Sequence, residues 1–204
     1  MAQGITTITK EDLATSDNRR EAIRVLTNSE LEEAKYLLNC LDLHEERIIN
    51  LDRQIAADSK GDEQIELLRS IPGVGPKTAF AFVAHVAVER FENASQVSNY
   101  LGLVPRVYMS GDTVRYGNIT KRGNGYMRAL LVQASWALIR SGHGGRLKER
   151  FAYMTLEKSI GKKKAIVAVA RRLAELMYTL LKNDDTYKCL PFKAETNHQL
   201  AKCA

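Results

Sequence analysis

Apolar positions fall into two regimes along this chain. Over residues 20–60 they are sparse and recur at helical spacing. Ala34, Leu41, Ile48 and Ile55 repeat every seven residues, and Leu37, His44 and Leu51 follow the first three of them by three. Residues three and four apart share one face of a helix, so the pattern predicts a long helix with a narrow seam of the coiled-coil type. Glu33, Glu45, Glu46, Arg47 and Arg53 fill the other faces, and Gly61-Asp62 breaks the run. The competing reading is a helix folded back on its own domain, and the histidine within the seam favours it. Residues 1–19 are polar, show no period and read as a loose N-terminus.

Over residues 63–187 the apolar positions are denser and the periods change. Leu67, Leu68 and Ile71 close one helix, Pro72-Gly73-Val74-Gly75 makes a tight turn, and Lys77-Thr78-Ala79 opens a second helix that is expected to end at Phe91. A short helix follows at 94–101. Val107, Val114 and Ile119 alternate enough to predict a short β-hairpin or extended arm around Gly111-Asp112. Helices are expected at 128–140, with Trp136 in the core, at 146–158, and at 164–182. The last carries Ile166, Val167, Ala170, Leu173, Leu176, Met177 and Leu180 on its buried face. Residues 188–204 read as a flexible tail. The expected fold class is mainly α: a long N-terminal helix (20–62), then a domain (63–187) holding a helix-hairpin-helix, a short β-hairpin and C-terminal helices.

Charge sharpens this division. The 204 residues carry a net charge of +6 with a pI near 9.2. Residues 1–70 hold nine Lys or Arg against fifteen Asp or Glu, whereas residues 71–204 hold twenty-one against nine. The basic part therefore coincides with the denser domain, and such a field attracts polyanions. Cys40, Cys189 and Cys203 form no C-x-x-C pair, which points away from a disulfide framework and towards a reducing, cytoplasmic setting. His44, His85, His143 and His198 show no metal-ligand spacing, and His85 reads as a core or interface residue. No apolar run approaches the roughly twenty residues of a membrane span.

Two segments carry candidate chemistry. In the first, Gly73 and Gly75 free backbone N–H groups beside the N-terminus of a helix, and Lys77 adds a full charge there. An anion such as a DNA phosphate is favoured at such a place. In the second, residues 100–128, glycines alternate with Arg106, Arg115, Lys121, Arg122 and Arg128, and Ser110 sits beside Gly111. Guanidinium groups hold phosphate oxygens two at a time, and a small hydroxyl among them is placed as a phosphoryl-transfer nucleophile would be. The plainer reading is a solvated basic loop. The Lys162-Lys163-Lys164 run reads equally as a solvated helix start or as a phosphate contact.

IPGVGPKTA at 71–79, YLGLVPR at 100–106, SGDTVRYGNITKRGNGYMR at 110–128 and the helical GKKKAIVAVARRLAELMYTLL occur in that order. Together they resemble the C-terminal part of the Piv-type DNA invertases and the related insertion-sequence transposases. That resemblance implies a coiled-coil linker followed by a serine-containing transposase domain, with Ser110 as the proposed nucleophile for DNA strand transfer. It also implies an N-terminal RuvC-like domain with four acidic residues and a divalent metal, and no matching segment is apparent in this chain, so no cofactor is expected within it. Asp112 is the only carboxylate close to Ser110, and nothing marks it as a base. DNA is the expected partner, a guide RNA is known for parts of the family, and a homo-oligomer through residues 20–60 is implied. The alternative is a catalytically incomplete nucleic-acid-binding remnant of such a transposase.

Overall fold

The computed structural model describes residues 13–23, 26, 28–110 and 113–189. Residues 1–12, most of the expected tail, Cys203, His198 and the Gly111-Asp112 turn lie outside the described residues. The chain divides into two compact units, one ending at Gln54 and one beginning at Ile55. The described residues hold eight α-helices and one two-stranded antiparallel sheet, so the chain is mainly α. No described helix is long and apolar enough to cross a membrane.

In the first unit the expected single helix is two. Helix α1 spans Ser16–Ala22 and helix α2 spans Asn28–Asp58. The start of α1 falls within residues read as loose, because Thr15 supplies a cap: its hydroxyl accepts from the Asn18 N–H at 3.3 Å. Asn28 and Glu30 then suit a second helix start, being a residue that competes with helix interiors and an acid in the first turn. Arg19 ties the two helices. Its Nε donates to the Leu13 carbonyl at 2.7 Å, and its Nη atoms reach Asp42 at 2.7 Å and both oxygens of Glu45. The Arg19 side chain is 4% exposed while its acidic partners are about half exposed. Leu37, Leu41, Ile48 and Leu51 of the predicted seam are exposed, and Ala34 and Ile55 are half-buried.

Helices α3 (Glu63–Arg69), α4 (Pro76–His85), α5 (Ala94–Tyr100), α6 (Gly125–Arg140), α7 (Gly145–Ala152) and α8 (Lys162–Asn183) build the second unit. Gly61, at φ +84°, and Asp62 set the start of α3 where the sequence breaks. The Asp62 carboxylate accepts from the Ile65 N–H at 3.1 Å. Helix α8 is the centre: α3, α5, α6 and α7 all pack on it. Ile166, Ala170, Leu173, Met177 and Leu180 are buried as the period predicts, while Val167 and Leu176 sit at the margin. Phe82, Leu68, Leu101, Leu131 and Leu138 fill the main core. Trp136 is only partly buried; it joins a second cluster and meets Phe151 edge-on at 5.7 Å.

Three local features refine the expected pattern. Helix α4 stops at His85, not Phe91, because Val86 leaves helical angles (φ −113°, ψ 84°) to bury its side chain at 1% exposure; a 3-10 turn follows at Val88–Arg90. Helix α7 ends at Ala152 and passes into a π-helical turn over Tyr153–Glu157. Gly73 has φ +87°, and a Cβ on it would lie 2.6 Å from the Leu138 backbone nitrogen and 2.7 Å from the Ala134 carbonyl oxygen. The turn between α3 and α4 thus rests directly on the backbone of α6.

Gly73→Ala adds both a left-handed strain and a backbone clash, so it should cost about 2 kcal/mol or more in chemical denaturation. An unchanged midpoint would contradict the packing of this turn on α6. Arg19 holds the Glu45 carboxyl below its ordinary range, chiefly through the hydrogen bond between them. A lowered folded-state value stabilises above the unfolded value and is lost as pH falls through the folded one. Amide protection over residues 16–22 should therefore persist at neutral pH and fade below about pH 4; protection unchanged at pH 3 would contradict the ion-pair account.

Candidate nucleic-acid interface

Strands β1 (Pro105–Ser110) and β2 (Thr113–Ile119) form the hairpin that alternation predicts. Ser110 lies opposite Thr113, Tyr108 opposite Arg115, and Val107 opposite Tyr116, with a register shift between Pro105 and Val107. Residues directly opposite share a face, and successive residues alternate. Tyr108, Ser110, Thr113 and Arg115 therefore project from one face, and Val107, Met109, Val114 and Tyr116 from the other. Gly117 extends the first face: a Cβ there would lie 2.9 Å from the Tyr108 ring and 3.7 Å from the Arg106 Cβ. Arg106 and the phenol thus flank bare backbone.

Ser110 is exposed at the tip and its hydroxyl has no hydrogen-bond partner among the described residues. It shares a shallow concavity of about 420 Å³ with Tyr108, Met109, Thr113 and Arg115. Arg106, Arg115, Lys121 and Arg122 are exposed and form no ion pair with an acid among the described residues. Between residues 93 and 148 the sequence holds eight Lys or Arg and one acid, Asp112. The positive charge around the hairpin is therefore nearly uncompensated by neighbours in sequence.

The root of the hairpin is a crossing of two loops. Helix α5 ends in a Schellman motif, in which Gly102 (φ +68°) donates to the Asn99 carbonyl at 3.0 Å and Leu103 to the Ser98 carbonyl at 3.0 Å. The incoming loop then lies on the outgoing one. A Cβ on Gly102 would fall 2.0 Å from the Arg122 carbonyl oxygen, and one on Gly123 would fall 2.2 Å from that of Tyr100. Thr120 and Lys121 donate across the crossing to the Val104 and Gly102 carbonyls at 2.8 and 3.2 Å. Arg128, from the first turns of α6, closes it: one Nη1 reaches the carbonyls of Leu101, Arg122 and Gly123 at 3.2, 3.0 and 3.2 Å. That nitrogen of Arg128 is used internally, whereas Arg122 contributes its carbonyl inward and keeps an exposed side chain.

The α3–α4 turn presents a different surface. Gly75 caps α4 with no side-chain hydrogen bond, Pro76 follows at the first helical position, and a Cβ on Gly75 would meet nothing within 4 Å. Lys77 lies in that first turn and is half-buried. Gly73 differs from Gly75 in that contact with α6 already demands a glycine there. At the other end of α4, exposed His85 bonds Asn124, whose Oδ1 caps α6 by accepting from the Tyr126 and Met127 N–H groups at 2.8 and 3.2 Å. His85 is thus a surface tie between two helices. Among the described residues no three His, Cys, Asp or Glu side chains converge as metal ligands.

Tyr108 and Thr113 escaped the sequence reading as site residues. Their positions two before Ser110 and across the turn from it, in an alternating segment, are the signal that places them beside it. Nothing in the sequence marks the role of Arg128 as a clamp.

Comparison with known proteins bears on this arrangement. Residues 65–152 match the family model described as Transposase IS116/IS110/IS902 family. The chain is 34% identical over 160 residues to the transposase for insertion sequence element IS1111A of Coxiella burnetii, covering 76% of this chain and 44% of that protein. It is 35% identical over 146 residues to a probable family 20 transposase of Pseudomonas aeruginosa, covering 71% and 43%. A pilin gene-inverting protein of Moraxella bovis is 26% identical over 181 residues, covering 86% and 54%. The chain spans about half the length of these relatives. Since the matched segment takes in the α3–α4 turn, the whole hairpin, the crossed loops and α6, the chain belongs to the IS116/IS110/IS902 transposase family.

Proposed function

We propose that this chain is the DNA-engaging part of an insertion-element transposase and that it supplies Ser110 as the nucleophile for strand transfer. The observation that carries this reading is the hairpin face: an exposed serine at the tip shares one concavity with Arg115 and one face with Arg106, with Asp112 the one acid between residues 93 and 148. In the proposed step the Ser110 oxygen bonds to phosphorus, its proton passes to a base, and a sugar oxygen of the DNA strand leaves as a hydroxyl. Attack by the hydroxyl of a second DNA end reverses the exchange, so one phosphodiester is broken and one is made. Arg115 would stabilise the charge that grows on the phosphate at Ser110, while Arg106, Lys121 and Arg122, nearer the root of the hairpin, would hold backbone phosphates further along the DNA. Gly75, Lys77 and the open start of α4 would hold a neighbouring backbone phosphate, with Gly73 shaping the turn.

A serine hydroxyl needs activation. The resemblance assigns the divalent metal to an acidic RuvC-like domain, which the reading treats as a partner domain. A guide RNA would add to the same basic surface. The apolar positions Leu37, Leu41, Ile48 and Leu51 are exposed on α2, and this reading assigns them to a second copy of the chain.

With the acidic domain, metal and cognate ends supplied, Ser110→Ala should lower strand transfer by about 10³-fold or more. It should leave DNA affinity within about twofold, since one neutral hydroxyl adds little to a multi-phosphate interface. Arg115→Ala should weaken DNA binding about tenfold, the scale of one charged hydrogen bond. Strand transfer that survives in Ser110→Ala would remove the serine from the mechanism and leave the remnant reading, a module that binds nucleic acid without chemistry. Sedimentation supplies a separate check: Leu41→Glu with Ile48→Glu should convert an oligomer to monomer, and an unchanged subunit number would contradict assembly through α2.

A further inference from the structure

A second concavity, of about 430 Å³, lies among α5, α7, α8 and the segment that follows α8. We propose that it receives one unpaired nucleotide, with its phosphate on the arginines and its base against the apolar wall. The proposal deepens the nucleic-acid reading above and rests on it for the class of partner.

Size, charge and apolarity agree on this ligand. The volume falls in the range of pockets for molecules of nucleotide size. Arg146 and Arg150 stand one turn apart on α7 and line the cavity, as do Arg172 of α8 and Lys188. Glu175 is the acid in the lining, and it is already compensated twice. Its two oxygens accept from Arg171 Nε at 3.0 Å and from Arg172 Nη1 at 2.7 Å. The pairing holds the Arg172 guanidinium beside the cavity through its Nη1. Lys188 shares its charge with Asp185 at 3.1 Å.

The remaining wall is apolar. Leu147 and Leu176 contribute aliphatic surface, and Tyr187 contributes a ring. Tyr187 is held in place by its backbone N–H, which donates to the Ser70 hydroxyl at 3.0 Å at the end of α3. Burial, and next the charge interaction with Cys189, raise the Tyr187 phenol above its ordinary value. A ring and aliphatic surface beside guanidinium forks is the chemistry that binds splayed bases of single strands, by stacking and by phosphate contact. A duplex keeps its bases paired and stacked and could offer only its backbone. A small carboxylate would satisfy one arginine and leave the apolar wall uncovered.

The test uses the full chain with three fluorescent probes: a single-stranded oligonucleotide, the matching duplex, and a labelled adenosine monophosphate. Arg146→Glu changes an exposed side chain and should weaken the single strand or the mononucleotide about tenfold or more while duplex affinity moves less than about twofold. Tyr187→Ala should weaken the same probes, with a melting curve confirming the fold. If both single-nucleotide probes respond and compete, the pocket takes a nucleotide from a strand. If only the monophosphate responds, its source is the free nucleotide; either result supports the site. Arg146→Glu that leaves both probes unchanged, or that weakens the duplex equally, would overturn the pocket, as would equal competition by polyglutamate. Duplex binding that ignores Arg115→Ala would count instead against the hairpin reading and leave the pocket standing.

Discussion

The crossing of two loops at the root of the hairpin is the constraint on which the rest of the site depends. A two-stranded hairpin buries little and is marginal by itself. Here most of its residues are exposed, so its own contacts do not fix its direction. Direction comes from below. Gly102 and Gly123 let two backbones touch, Thr120 and Lys121 bond across, and Arg128 gathers three carbonyls at the junction. One charged nitrogen thus ties together carbonyls from both crossing loops.

This explains why a basic segment contains arginines of two kinds. Arg115 lines the concavity with Ser110, Arg106 and Arg122 are exposed nearer the root of the hairpin, and in the proposed reading all three meet phosphate. Arg128 faces inward with one Nη and holds the frame that aims the others. The anchor continues into the core, since Arg128 belongs to α6, α6 packs on α8, and Gly73 seats the α3–α4 turn on the α6 backbone. Both segments proposed to contact DNA are therefore positioned by one helix. The cavity beneath α7 and α8 has a separate support, the Arg171–Glu175–Arg172 pairing and the Tyr187–Ser70 bond.

Much of the fold was legible because it depends on local periods and breakers. The alternation about Gly111-Asp112 gives the hairpin, the 3.6 period of 164–182 gives the buried face of α8, and Gly61-Asp62 gives a helix boundary. Partnerships distant in sequence were not legible. Arg19 lies in a stretch without period, and its acids are over twenty residues away. Val86 ends α4 through burial, which outweighs a local preference that would have carried the helix further. At the candidate site, charge and glycine density marked the segment. They could not tell an arginine that faces solvent from one that clamps carbonyls, because both read as a cation between glycines.

The central claim is that Arg128 and the loop crossing hold the hairpin in place. Amide exchange in Arg128→Ala tests it most directly, read separately for β1, β2 and the core helices. The account predicts that protection across β1 and β2 and at Thr120 and Lys121 is lost, while α6 and α8 keep theirs. Unchanged protection in the hairpin would show that the strands hold themselves and would contradict the account.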